Sequence, residues 1–201
     1  SIFTGFFVSQ QMSRYSKIRE IISNFDGKMS STYRTSGNIN LEIQKEIGEV
    51  VSAHYKALMK TKEWDYHFTH TSTTISSIHD ILEKHFASSH LEALKTHAVG
   101  RIINNLSDCE VARKNMVMLY QERIPKFQWF IITFFILVLI ATVSAIPSEG
   151  LIFESILKSA FGVSILSIAG ILHRLDNVHL FEDFIGENSA RDVLSLIESK
   201  N

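Results

Sequence analysis

FQWFIITFFILVLIATVSAI, residues 127–146, is a run of twenty positions without a charge, and Pro125 and Pro147, the only prolines in the chain, stand just outside its ends. At about 1.5 Å per residue, a helix of this length covers about 30 Å, the hydrocarbon thickness of a bilayer. Thirteen of the twenty are Phe, Ile, Leu or Val. Each favours insertion by roughly 0.3–0.6 kcal/mol, so the run as a whole favours lipid by about 4–8 kcal/mol. The core helix of a water-soluble protein keeps a polar edge, which this run lacks. It reads as a membrane-spanning helix, and the rest of the fold is organised around it.

A second apolar run, residues 156–172, contains Lys158, with Glu154 one turn earlier. The two are spaced to pair, or the Lys158 ammonium can reach the headgroups from the helix end. One face of this helix, Ala160, Ser164 and Ser167 with Gly170 nearby, is small enough for another helix to pack closely. Pro147-Ser-Glu-Gly150 makes a short turn between the runs, which predicts an antiparallel hairpin. Arg113, Lys114, Arg123 and Lys126 precede the hairpin and Arg174 follows it, whereas the turn has no basic residue before Lys158. The positive-inside rule then places the preceding region and the tail in the cytoplasm of a multi-pass protein of the inner or plasma membrane. The first eight residues are uncharged and too short to span; they read as the end of a transmembrane helix. The expected organisation is a helix end over 1–9, a cytoplasmic helical region over 10–124, the hairpin over 125–173 and a cytoplasmic tail over 174–201.

Across its 201 residues the chain is 45% hydrophobic, with 20 Lys+Arg against 21 Asp+Glu and a single Cys109. That composition excludes a disordered chain, and one thiol excludes an internal disulfide or a multi-cysteine zinc site. The balanced charge argues against a nucleic-acid partner.

Between residues 12 and 29 the apolar residues Tyr15, Ile18, Ile22, Phe25 and Met29 recur at helical spacing. Gly37 and the polar residues of 30–40 predict a break. A second helix starts at Asn40, carries Ile43, Ile47, Val50, Val51, Tyr55, Leu58 and Met59, and can continue through Trp64 and Phe68. A third is marked by Ile75, Ile78, Ile81, Leu82 and Phe86. Ser89 and Glu92 fit a capping box that opens a long helix with Leu91, Leu94, Ala98, Ile102, Leu106, Cys109, Met116 and Leu119 on one stripe. Ser189 and Asp192 fit the cap of a short tail helix with Val193, Leu194 and Ile197. No segment alternates as a strand does. The fold class is therefore all-α, an integral membrane protein with a helical bundle and a C-terminal transmembrane hairpin.

Glu63, His67 and His70 share a helical face that can hold a divalent metal, with a solvated polar face as the plainer reading. His79, Glu83, His85 and His90, and the tail oxygens of Glu182, Asp183 and Glu187, are weaker candidates of the same kind. No nucleophile elbow, P-loop, dinucleotide fingerprint or zincin motif occurs, so neither an enzyme nor a cofactor is expected. Cys109 lies on the apolar stripe of its helix and reads as core.

In order along the chain come Thr4-Gly-Phe-Phe-Val-Ser9 with Arg14-Tyr15 and Arg19-Glu20, Ser31-Thr-Tyr-Arg34, Tyr55 leading to Glu63-Trp64, Arg113 before Ile124-Pro125, Trp129, Leu175-Asp176, Phe184 and Gly186. This succession resembles the bestrophin-like domain family, prokaryotic membrane proteins related to bestrophin anion channels, over most of the chain. The family commonly has a Pro soon after the Leu-Asp pair, where Asn177-Val178-His179 stands here. The resemblance implies a homo-oligomer, pentameric in bestrophins proper, with an apolar neck matching Phe3, Phe6 and Phe7 that gates by dewetting. It does not extend to the calcium-binding clasp of the animal proteins. Two further functions compete with a channel. One is a structural or accessory subunit of a larger membrane complex, and the other is a membrane-anchored helical sensor.

Overall fold

The structure is a computed structural model and describes residues 2–61, 73–86, 93–147, 152–177 and 187–199. Every regular element among the described residues is a helix: α1 (Ile2–Ser36), α2 (Leu41–Thr61), α3 (Thr74–Phe86), α4 (Ala93–Gln121), α5 (Lys126–Ala145), α6 (Phe153–Asp176) and α7 (Glu187–Glu198). The all-helical expectation holds for these residues. Their contacts form two compact units, the first made of 1–15 and 122–180, the second of 16–121 and 181–201.

The second unit is built on a stripe that runs further than composition suggests. The apolar positions Phe25 and Met29 continue into Tyr33, all buried, so the helix does not break at Ser30 but at Ser36. Polar side chains are accommodated on the way, and the Ser36 hydroxyl donates to the Tyr33 carbonyl at 2.7 Å. The residues before Met12 also join α1 without interruption.

The turn after Ser36 is shaped by Gln44, whose side-chain amide donates to the Tyr33 carbonyl at 3.3 Å and so satisfies an orphan acceptor at the helix end. A Cβ on Gly37 would lie 2.7 Å from that amide nitrogen. Asn40 then caps α2, its side-chain oxygen accepting the Glu42 N–H at 3.2 Å, as the sequence predicts.

Ile43, Ile47, Val51 and Tyr55 of α2 are buried with Ile78 of α3, Ile102, Leu106 and Cys109 of α4, and Val193 and Ile197 of α7. Each such burial contributes roughly 1.5–3 kcal/mol before the cost of ordering. Helices α1, α2 and α7 come close at Gly48, where a Cβ would stand 2.9 Å from the Tyr33 ring and 3.5 Å from an Ile197 methyl. Two expectations are corrected here. Leu94 is exposed rather than part of the α4 stripe. Ser189 lies inside α7, which starts at Glu187, and is not its cap.

In the first unit α5 and α6 pair antiparallel. Trp129, near the start of α5, meets His173, near the end of α6, at 5.6 Å, and Lys158 near the start of α6 donates to the Ile146 carbonyl past the end of α5 at 2.5 Å. Both helices are long and apolar enough to cross a membrane, and only 6% of the most apolar stretch of each is buried. The core helix of a soluble protein is mostly buried, and neither of these is buried within the unit. The predicted turn at 148–150 lies outside the described residues.

Candidate functional site

Where α5 begins and α6 ends, a buried polar knot ties three segments of the first unit. Asp176, the last residue of α6, is 6% exposed, as is Arg14 of α1, and Gln11 is 5% exposed. One Asp176 carboxylate oxygen accepts the Ile124 backbone N–H at 2.7 Å, and the other accepts the indole N–H of Trp129 at 3.1 Å. The Asp176 carbonyl accepts the Arg14 guanidinium at 3.0 Å, and the same guanidinium nitrogen donates to the Gln11 side-chain oxygen at 2.9 Å.

The local sequence explains the arrangement. Gln11 and Arg14 are one helical turn apart, so they face the same neighbour. Pro125, with φ of −55°, turns the chain into α5 and has no N–H of its own. The Ile124 N–H just before it needs an acceptor, and Asp176 supplies one. Asn177 closes α6, its backbone N–H and its side-chain amide both donating to the His173 carbonyl, at 3.2 and 3.1 Å.

Beside the knot a small apolar cluster joins Phe7 of α1, Ile124, Ile132 of α5 and Leu172 of α6, with Val8, Trp129 and Ile136 packed against it. Phe7 is 3% exposed, whereas its neighbour Phe6 is 63% exposed and touches the Phe7 ring edge-on at 5.6 Å. Of the three aromatic residues the sequence proposes for a neck, one is therefore core and one is outward. Phe3 lies on α1, and its side chain is outside the described set. Phe130, Leu137, Phe153, Leu157, Val163 and Leu166 leave α5 and α6 with broad apolar faces. Ala160, Ser164, Ser167 and Gly170 also lie on an exposed face of α6, and the Ser164 hydroxyl is satisfied by the Ala160 carbonyl at 2.8 Å.

In the second unit a different polar group is buried. Asp26 of α1 is 5% exposed and accepts the Tyr55 hydroxyl of α2 at 2.6 Å and the Ser189 hydroxyl of α7. Burial raises its carboxyl to about 6, against the smaller opposing effect of the two hydroxyls. Burial, with the Asp26 charge beside it, holds the Tyr55 phenol well above its ordinary range, so it stays a donor. The Cys109 thiol is pushed up to about 12, chiefly by burial, which makes it an inert core residue as its stripe position predicts. His54, next to Tyr55, has its Nδ1 2.9 Å from the Thr74 hydroxyl. On the surface of this unit, Glu46 meets His85 at 3.1 Å and Lys84 at 3.2 Å, and these hydrogen bonds, His85 foremost, lower its carboxyl.

No group of three or more metal-ligating side chains occurs among the described residues. The Glu63, His67 and His70 candidate lies outside them, as do His90, Glu182 and Asp183. Glu187 pairs with Arg191 at 2.6 Å within α7.

The knot and the Asp26 cluster are the sites that sequence reading misses as networks. Their signal is a charged residue on an apolar stripe: Asp26 sits beside Phe25, four residues after Ile22, and Arg14 four before Ile18. Comparison with family models, with curated proteins and with solved structures finds no match.

Proposed function

We propose that the chain is a subunit of an oligomeric, multi-pass membrane channel of the bestrophin-like type, set in the cell membrane with the second unit in the cytoplasm. The observation that carries this reading is the lining of the first unit, in which α5 and α6 turn apolar faces outward and are hardly buried by the chain itself. In water such surface is a liability, and in lipid it is the ordinary state. Phe7 supports the channel form of the reading, because it fixes the start of α1 on the hairpin while Phe6 is left outward. A ring of Phe6 side chains from several copies would make an apolar constriction that conducts only when wetted.

The test is ion flux from liposomes containing the purified, folded oligomer. Flux is expected, and Phe6→Ala, which widens an apolar neck, is expected to raise it severalfold without loss of thermal stability. Folded oligomers that pass no ions in either form would remove the channel. A second reading, an accessory subunit of a larger membrane complex, is favoured by the exposed Ala160, Ser164, Ser167 and Gly170 face, which suits a closely packed foreign helix. A partner chain co-purifying at fixed stoichiometry, lost on Ser164→Leu, would support it over the channel.

A further inference from the structure

Three helices of the second unit meet at one buried carboxylate. Asp26 belongs to α1, Tyr55 to α2 and Ser189 to α7, and both hydroxyls donate to the Asp26 carboxyl. Ser189 is followed by Ala190, which is wholly buried, and then by Val193, Leu194 and Ile197 at helical spacing. Docking α7 therefore covers the carboxyl and supplies its second hydrogen bond. Undocking α7 would admit water to Asp26.

A buried carboxyl prefers its neutral form, and a hydrated one its charged form. We infer that α7 is a proton-sensitive latch: uptake of a proton by Asp26 tightens the docking of α7 on α1 and α2, and loss of that proton loosens it. The latch belongs to the second unit and holds whether or not the first unit conducts ions.

The neighbours of Asp26 leave it few rivals. On α2, Tyr55 keeps its proton far into the alkaline range, and on α4 Cys109 does the same. The α4 residue Asp108 is paired with Lys28 of α1 at 2.7 Å. On α7, Arg191 pairs with Glu187 and Glu198 with Lys56 of α2 at 3.5 Å, all at half-exposed or more exposed side chains, and Asp192 is exposed. His54 of α2 is a further ionisable side chain beside Tyr55, and it is bonded to Thr74 of α3.

The sign follows from linkage. The docked carboxyl holds its proton up to about pH 6, and a carboxyl returned to ordinary surroundings holds it only up to 3.8. Docking is tightest below 3.8 and weakens as the pH rises through 6, by at most about 160-fold over that window.

Hydrogen–deuterium exchange of the whole protein in detergent, corrected for the intrinsic pH dependence of exchange, reads the latch directly. The α7 amides are expected to be about 10- to 30-fold better protected at pH 4.5 than at pH 7.5, with protection levelling off above about pH 6. Asp26→Asn is expected to flatten the profile. A flat profile in the native chain overturns the proposal. So does an unaltered profile in Asp26→Asn, which would assign the transition to His54 or another group. Should Asp26→Asn fail to fold, Ser189→Ala decides: removing a hydroxyl that favours the charged form is expected to move upward the pH at which protection levels off, and an unmoved profile overturns the proposal.

Discussion

Asp176 and Asp26 are both buried acids, yet their surroundings give them opposite tolerance to substitution. Asp176 accepts two N–H groups that have no other acceptor, one from the backbone before Pro125 and one from an indole. Asp176→Ala would strand both donors in a buried site, a loss of about 3–5 kcal/mol. Trp129→Phe deletes one donor and leaves one carboxylate oxygen without it, and is expected to cost about 1–3 kcal/mol, less than Asp176→Ala because one hydrogen bond is lost rather than two. Thermal unfolding in detergent checks the order of the two. Asp26, in contrast, gains from losing its charge. Its carboxyl at about 6 stands against 3.8 in ordinary surroundings, a gap that corresponds to about 3 kcal/mol. The stability that the protonated form contributes is present below pH 3.8 and is lost as the pH rises through 6. Asp26→Asn keeps an acceptor for the Tyr55 hydroxyl, so it is expected to stabilise the fold by about 1–3 kcal/mol at pH 7.5 and to leave it nearly unchanged at pH 4. Denaturant melts at the two pH values read the difference.

Elements meet where side chains are smallest, and the two glycines that the packing depends on differ in what would have to yield. A methyl on Gly48 runs into the Tyr33 ring, itself buried in the core, so Gly48→Ala is expected to push α1 and α2 apart and cost about 1–3 kcal/mol. A methyl on Gly37 meets only the amide end of Gln44, which can swing away at the expense of one hydrogen bond, about 1 kcal/mol. Comparative unfolding of the two variants tests this ranking. The same elements define what sequence can reveal. The apolar runs behind α5 and α6, the Asn40 cap and the inward faces of α2 and α3 follow from periodicity, because each depends on residues within a turn or two of one another. The end of α1 does not, since Ser30, Ser31 and Thr32 have a loop's composition while the buried stripe through Met29 and Tyr33 keeps the backbone helical. Nor do the polar clusters: Arg14 and Asp176 are 162 positions apart, and nothing local in either says that they meet. The charge on an apolar stripe is visible, but its partner is not. Ser189 illustrates the cost, being read as a cap from its neighbours although its hydroxyl serves Asp26.

At the scale of the molecule the two units differ in how much apolar surface they leave exposed. The second gathers most of its large apolar residues into one core, with exceptions such as Leu41 and Leu94, whereas the first leaves most of its large Phe, Leu and Ile side chains outside. Placing a charge in the middle of α5 separates lipid from protein as the surroundings of that face. Leu137, 62% exposed, would cost little as Lys in water, but about 3 kcal/mol at the centre of a bilayer. Leu137→Lys is expected to lower the membrane-integrated fraction in an insertion assay, and equal integration of both chains would deny α5 its lipid. The Asp176 knot carries a further consequence for how the chain is made. Ribosomes deliver Ile124 and Trp129 some fifty residues before the carboxylate that accepts their hydrogen bonds, so the first half of the hairpin waits, incomplete, for the last turn of α6. Nascent chains halted before residue 176 should remain open to proteases at Pro125, and those released just past it should resist, which makes one carboxylate the signal that synthesis of the pair is finished.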